Sequence, residues 1–116
     1  MTVIKNETAV LKNYINGEWV DAQSTGTLDV PNPATGEVLA AVPVSSKADV
    51  ELAVSAAKEA FKTWKNTPVP KRARILYKYH HLLTENHEKL AKLIVKENGK
   101  AFKEAHGEVQ RGIECV

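Results

Sequence analysis

Ser46-Lys47-Ala48-Asp49 is where this chain changes character. A serine followed three residues later by a carboxylate, just ahead of an apolar periodic run, marks a helix N-terminus. The hydroxyl caps free N–H groups, and the acid suits both the cap and the helix dipole. Beyond it, Ala53, Ala56, Ala57, Ala60, Phe61 and Trp64 recur on one helical face, and Asn66-Thr67-Pro68-Val69-Pro70 stops the run. Before it, the sequence carries the alternation and turn dipeptides of strands. A division near residue 45 therefore predicts short strands first and helices afterwards.

Toward the N-terminus, Tyr14-Ile15-Asn16-Gly17-Glu18-Trp19-Val20 reads as a hairpin, because Asn-Gly supplies the positive φ angles of a type I′ turn between β-formers. Residues 21–26 have loop composition, and residues 28–30 suit a short strand. Asn32-Pro33-Ala34-Thr35-Gly36 is a turn, and residues 37–44 read as another strand with Pro43 near its end. Toward the C-terminus, Pro70 is placed to open a second helix with the stripe Ile75, Leu76, Tyr79, Leu82 and Leu83. Asn86 either interrupts or kinks it. Leu90, Ala91, Leu93 and Ile94 continue the apolar face to a C-cap at Asn98-Gly99. A last helix begins near Ala101, with Phe102, Ala105, Val109, Ile113 and Val116 on one face and nothing in the sequence to end it.

The 116 residues suffice for one domain or part of a larger one. Hydrophobic content of 43% and charged content of 26% exclude a disordered chain, while only 6% aromatics leaves a core of Ala, Val, Leu and Ile and predicts marginal stability and self-association. A net charge of +2 is too balanced for nucleic acid or an anionic membrane. No apolar run reaches the roughly 20 residues that span a bilayer. Residues 1–12 lack a signal-like apolar stretch and include Glu7, so a cytoplasmic protein is expected. The expected organisation is a disordered tail over 1–11 and a structured part over 12–116. The single cysteine, Cys115, excludes an intrachain disulfide.

Neither GxGxxG nor GxxxxGK[ST] occurs. Gly107 and Gly112 in the last helix cost helical stability, which points to close packing against a neighbour or to room for a ligand. His80 and His87 can share a helix face, but two histidines without a cysteine are not a zinc site, so surface or boundary roles are expected. Cys115 sits late in a helix, where the dipole disfavours a thiolate, and no Cys–His arrangement accompanies it. Lys71, Arg72, Arg74 and Lys78 read as a solvated basic face. Arg111 lies opposite Val109 and Ile113, near Glu104, Glu108 and Glu114. It is either a surface ion pair or a guanidinium that holds a carboxylate by paired hydrogen bonds.

Several stretches, taken in order, resemble the aldehyde dehydrogenase superfamily: Tyr14 to Val20, the Asn32 to Gly36 turn with Glu37-Val38, residues 49–61 with Trp64, Arg72-Ala73-Arg74-Ile75-Leu76, Leu90-Ala91 and Glu97-Asn98-Gly99-Lys100. Within it, the resemblance leans to the CoA-acylating methylmalonate-semialdehyde dehydrogenases. The residues favouring this are Lys12 through Val20, Glu59-Ala60-Phe61-Lys62-Thr63-Trp64, Val69 through Leu76, and Gly107-Glu108-Val109-Gln110-Arg111-Gly112-Ile113-Glu114. Betaine-aldehyde and succinate-semialdehyde dehydrogenases share much of this pattern. The local departure is Val30-Pro31-Asn32, where the family more often has an apolar or β-branched residue before Asn-Pro, and this puts the strand pairing there in question.

The resemblance implies an α/β fold of which this is the N-terminal part: short strands, then three or four helices, with the Rossmann core incomplete. It implies NAD as cofactor, a semialdehyde and CoA as reactants, and a homo-oligomeric parent. In that chemistry a cysteine thiolate attacks the aldehyde, hydride passes to NAD, carbon dioxide is lost, and CoA takes the acyl group. Arg111 matches the family arginine that holds the substrate carboxylate. The family nucleophile and most of the NAD site match no residue here, so the chain alone is expected to be inactive, without catalytic, cofactor or metal residues of its own. In whole enzymes of the family a cation binds near the positions of Val30 and Glu97. The alternative is a stand-alone helical interaction module that uses surplus apolar faces. A small basic nucleic-acid binder is disfavoured by the charge balance.

Overall fold

The computed structural model describes residues 8–116. They form β1 (Asn13–Ile15), β2 (Glu18–Val20), β3 (Thr27–Pro31), β4 (Val38–Pro43), α1 (Lys47–Trp64), α2 (Val69–Glu85), α3 (His87–Asn98) and α4 (Phe102–Glu114). The chain divides into two units. One is the chain through Pro31 with Gly36–Lys62, and the other is Asn32–Thr35 with Thr63–Val116. No helix among the described residues is long and apolar enough to cross a membrane.

In the first unit, Asn16 and Gly17 take φ of 55° and 83°, the left-handed pair a two-residue hairpin turn requires. The turn sets β1 antiparallel to β2 with Tyr14 opposite Trp19, their rings 4.9 Å apart. β3 pairs antiparallel with β4, and Pro31 and Pro43 fall at strand ends, where a missing N–H costs least. The register shifts between Val30 and Pro31, so Pro31 faces Val38 and Leu39 is left over, at the place the sequence marked as irregular. On its other side β4 meets the N-terminal segment. Leu11 N–H donates to the Ala41 carbonyl at 2.8 Å, and Ala41 N–H donates to the Ala9 carbonyl at 3.1 Å. Ala41 is buried between these partners. Of the tail expected over residues 1–11, residues 1–7 lie outside the described residues, and Ala9 and Leu11 pair with Ala41.

The capping box at Ser46 forms, and it does more than cap. Ser46 Oγ accepts from Asp49 N–H at 3.3 Å, and Asp49 Oδ2 accepts from Ser46 N–H and from its hydroxyl, both at 2.7 Å. Asp49 Oδ1 accepts from Gln23 N–H at 2.9 Å, which ties the loop after β2 to the start of α1. Asp49 is the one buried charged side chain among the described residues, and these bonds replace the water it gives up. The Gln23 N–H, then the Ser46 hydroxyl and N–H, hold its carboxyl below the usual aspartate range. Ser24 reinforces the loop through its hydroxyl on the Val44 carbonyl. The apolar face of α1 is covered only in part. Ala53 and Ala56 are half-buried, whereas Ala57, Ala60, Phe61 and Trp64 are exposed.

In the second unit, Asn32 Oδ1 accepts from Ala34 N–H at 2.9 Å and shapes the Pro33 turn. Pro70 sits in the first turn of α2. Asn86 interrupts the helix rather than kinking it. Its N–H and side-chain amide both return to the Leu82 carbonyl, at 3.1 and 2.8 Å, and its own carbonyl starts α3 by accepting from Leu90 N–H. Gly99 ends α3 at φ 75°, and a Cβ there would come within 3.0 Å of Pro33 Cγ. α4 then packs on α3 with Ala91, Ala105 and Ile113 buried and Val109 half-buried. Phe102 and Val116, expected on this inner face, are exposed because they lie at the two ends of a short contact. α4 runs to Glu114. The α2 stripe lies open: Ile75, Leu76, Tyr79 and Leu82 are exposed and only Leu83 is half-buried.

Two outcomes follow. A carboxyl depressed by folding adds stability that is fully present above its unfolded value of about 3.9 and is lost as pH falls through the lower folded value. Thermal stability of this chain is therefore expected to fall more steeply than that of Asp49→Asn below about pH 4; parallel profiles would contradict the role given to Asp49. In denaturant titrations Gly99→Ala is expected to cost about 1–2 kcal/mol, and more than Gly36→Ala, because Gly36 also has positive φ but open space ahead of it.

Candidate functional site

The inner face of α4, built on Ala105, Val109 and Ile113, fixes what its outer face presents. Glu104, Glu108 and Arg111 follow one another at four- and three-residue steps and come out on one side. Together with Lys100, Lys103 and Gly107 they line a groove of about 460 Å³. Three cations stand there against two carboxylates, so the groove is positive by one charge.

Within it the charges are not equally paired. Lys100 Nζ donates to Glu108 Oε1 at 2.7 Å, and the two side chains are 27% and 39% exposed. Arg111 Nη2 stands 3.9 Å from the same oxygen, beyond hydrogen-bond reach, and the Arg111 side chain is 69% exposed. The Lys100 hydrogen bond is the main cause that holds the Glu108 carboxyl below the usual glutamate range, with Arg111 adding a smaller attraction. Glu114, the other carboxylate three residues from Arg111, accepts from Gln110 Nε2 at 2.9 Å. Among the described residues, then, Arg111 has a near carboxylate but no hydrogen bond to one. A planar guanidinium in that condition can take a carboxylate ligand through two parallel N–H donors.

Gly107 leaves room along this face. A Cβ there would meet only Arg111 Nη1, at 3.9 Å, and one at Gly112 would meet nothing within 4 Å. The close helix packing expected of these glycines is thus absent among the described residues, because the tight contact of α4 is carried by Ala105 on the other face.

The other residues singled out in the sequence lie apart from this groove. His87 does not pair with His80, because the Asn86 break puts them on different helices. His87 instead stacks on His106 with ring centroids 3.7 Å apart, and its Nε2–H donates to the His106 carbonyl at 2.8 Å, a clasp between α3 and α4. No three His, Cys, Asp or Glu side chains among the described residues gather to hold a metal. Val30 and Glu97, linked to a cation by resemblance, fall in different units. Cys115 is exposed at the C-terminal end of α4, as the sequence implies. Lys71, Arg74 and Lys78 are solvated, but Arg72 is half-buried with its Nε shut away from water and unbonded, so the basic stretch is not uniformly a solvent face.

The described residues do not fit a dinucleotide cradle. Such a cradle needs glycine-rich backbone at a helix N-terminus behind a strand, whereas the left-handed glycines Gly17, Gly36 and Gly99 sit in a hairpin turn, a strand connection and a helix C-cap.

The sequence pattern of the aldehyde dehydrogenase family matches residues 19–116. The chain belongs to the aldehyde dehydrogenase family. It is 67% identical over all 116 residues to malonate-semialdehyde dehydrogenase 1 of Geobacillus kaustophilus, of which it covers 24%. Among solved structures, it superposes with a TM-score of 0.88 on a protein from Sinorhizobium meliloti 1021 assigned as a methylmalonate-semialdehyde dehydrogenase and complexed with NAD. That match is 36% identical and covers 95% of this chain and 22% of the other. The methylmalonate-semialdehyde dehydrogenase of Oceanimonas doudoroffii gives 0.87 at 42% identity, covering 92% and 22%. The chain thus spans about a quarter of the length of these dehydrogenases, and its strands and four helices are the expected N-terminal α/β part.

Proposed function

We propose that this chain forms the N-terminal part of an NAD-dependent dehydrogenase that oxidises malonate or methylmalonate semialdehyde and passes the acyl group to CoA, and that Arg111 binds the substrate carboxylate. The observation that carries the site is the exposed Arg111 guanidinium, which is left without a hydrogen bond to any carboxylate among the described residues. The identity to a malonate-semialdehyde dehydrogenase supports that substrate class over betaine aldehyde or succinate semialdehyde. NAD, CoA and the nucleophile are assigned to the rest of the dehydrogenase, and the assembled protein to a homo-oligomer. The contribution of this segment is recognition: the guanidinium orients the carboxylate end of the substrate, which positions the aldehyde for attack by a group elsewhere. The 116 residues by themselves are inactive in this reading.

A non-catalytic interaction module is the second reading, favoured by the open α2 stripe of Ile75, Leu76, Tyr79 and Leu82. The intact mass of the protein from its source cells separates the two. A mass near 12.8 kDa supports the module, and one several times larger supports the dehydrogenase.

In the whole dehydrogenase carrying this segment, Arg111→Gln is expected to raise KM for malonate semialdehyde by roughly 10-fold or more, the value of a hydrogen bond to a charged group, while propanal, which lacks the carboxylate, is turned over much as before. Equal losses for both aldehydes would refute the role of Arg111.

A further inference from the structure

We propose that Lys100 is a positioning residue for carboxylate recognition: by holding Glu108, it keeps that carboxylate from neutralising Arg111. The inference rests on the reading that Arg111 meets the substrate. On an isolated helix, a glutamate three residues before an arginine pairs with it. Here Glu108 and Arg111 have that spacing, yet they stand 3.9 Å apart, because Glu108 Oε1 accepts from Lys100 Nζ at 2.7 Å instead.

The backbone explains why Lys100 wins. It lies in the connection Gly99–Ala101, two residues ahead of α4, so its side chain reaches Glu108 from outside the helix. The left-handed turn at Gly99 sets that approach. Exposure rises along the series from Lys100 through Glu108 to Arg111, at 27%, 39% and 69%. The competing carboxylate is drawn toward the sheltered end while the guanidinium stays in the open. Glu114 is withheld from Arg111 in a parallel way by Gln110. A fully paired guanidinium would have to give up its partner before taking a substrate carboxylate, and that exchange weakens binding of the anion without touching an uncharged aldehyde.

Steady-state kinetics of the whole dehydrogenase with malonate semialdehyde and with propanal test this. Lys100→Met is expected to raise KM for malonate semialdehyde roughly threefold to tenfold, with kcat and the propanal KM little changed. Lys100→Arg, which can still hold Glu108, is expected to behave like the wild type. The decisive variant is Lys100→Met with Glu108→Gln. With the quenching carboxylate gone, KM is expected to return toward the wild-type value, a rescue that a merely structural lysine would not allow. The proposal is overturned if Lys100→Met leaves KM for malonate semialdehyde unchanged, if propanal suffers equally, or if Glu108→Gln brings no rescue. Should Arg111→Gln itself leave carboxylate preference intact, the site reading falls and this inference with it. Should Arg111→Gln abolish that preference while Lys100→Met does nothing, the inference alone falls.

Discussion

Gly99 closes α3 in a left-handed conformation beside Pro33, where a side chain of any size would crowd the ring. That constraint turns the chain into α4 after three residues and lets α4 pack on α3 with Ala91 and Ala105 both fully buried. Small residues at such a contact let two helices approach closely, and the approach fixes the rotation of α4 about its axis. Once Ala105 and Ile113 point inward, Glu108 and Arg111 must point outward, and Lys100 in the connection is left beside Glu108. The His87–His106 stack secures the same pair of helices. The charge arrangement of the candidate site therefore follows from packing on the far side of the helix that bears it.

The first unit is organised by a different device, the Asp49 carboxylate, which joins the cap of α1 to the loop after β2 through backbone N–H groups. Neither unit has much core. Ala41, Ala91, Ala105 and Ile113 are the only buried apolar residues among those described, while Trp19, Phe61 and Ile75 are more than half exposed. The chain spans about a quarter of the length of the relatives it matches.

Most of the architecture was legible locally. The Asn16-Gly17 turn, the Ser46–Asp49 box, Pro70 and the Asn98-Gly99 cap each follow from backbone chemistry within a few residues, and each formed as read. The irregular pairing at Pro31 falls where Val30-Pro31-Asn32 departs from the family pattern, the departure that put the strand pairing there in question. What sequence could not supply was anything that depends on two elements meeting. His80 and His87 fit one helical face in the sequence, with surface or boundary roles expected, and nothing local revealed that the Asn86 break brings His87 onto His106. Gly107 and Gly112 looked like packing residues, and the tight contact falls on Ala105 instead. Arg111 was visible through its spacing to Glu108. Lys100 was not, because it stands outside the helix and carries no periodic signal.

The most direct test of this account is a crystal structure of the whole dehydrogenase with a carboxylate-bearing analogue of the semialdehyde, such as 3-hydroxypropionate. The ligand carboxylate is expected within hydrogen-bond distance of the Arg111 guanidinium while Glu108 stays on Lys100. A ligand carboxylate bound elsewhere, with Arg111 closed onto Glu108, would contradict it.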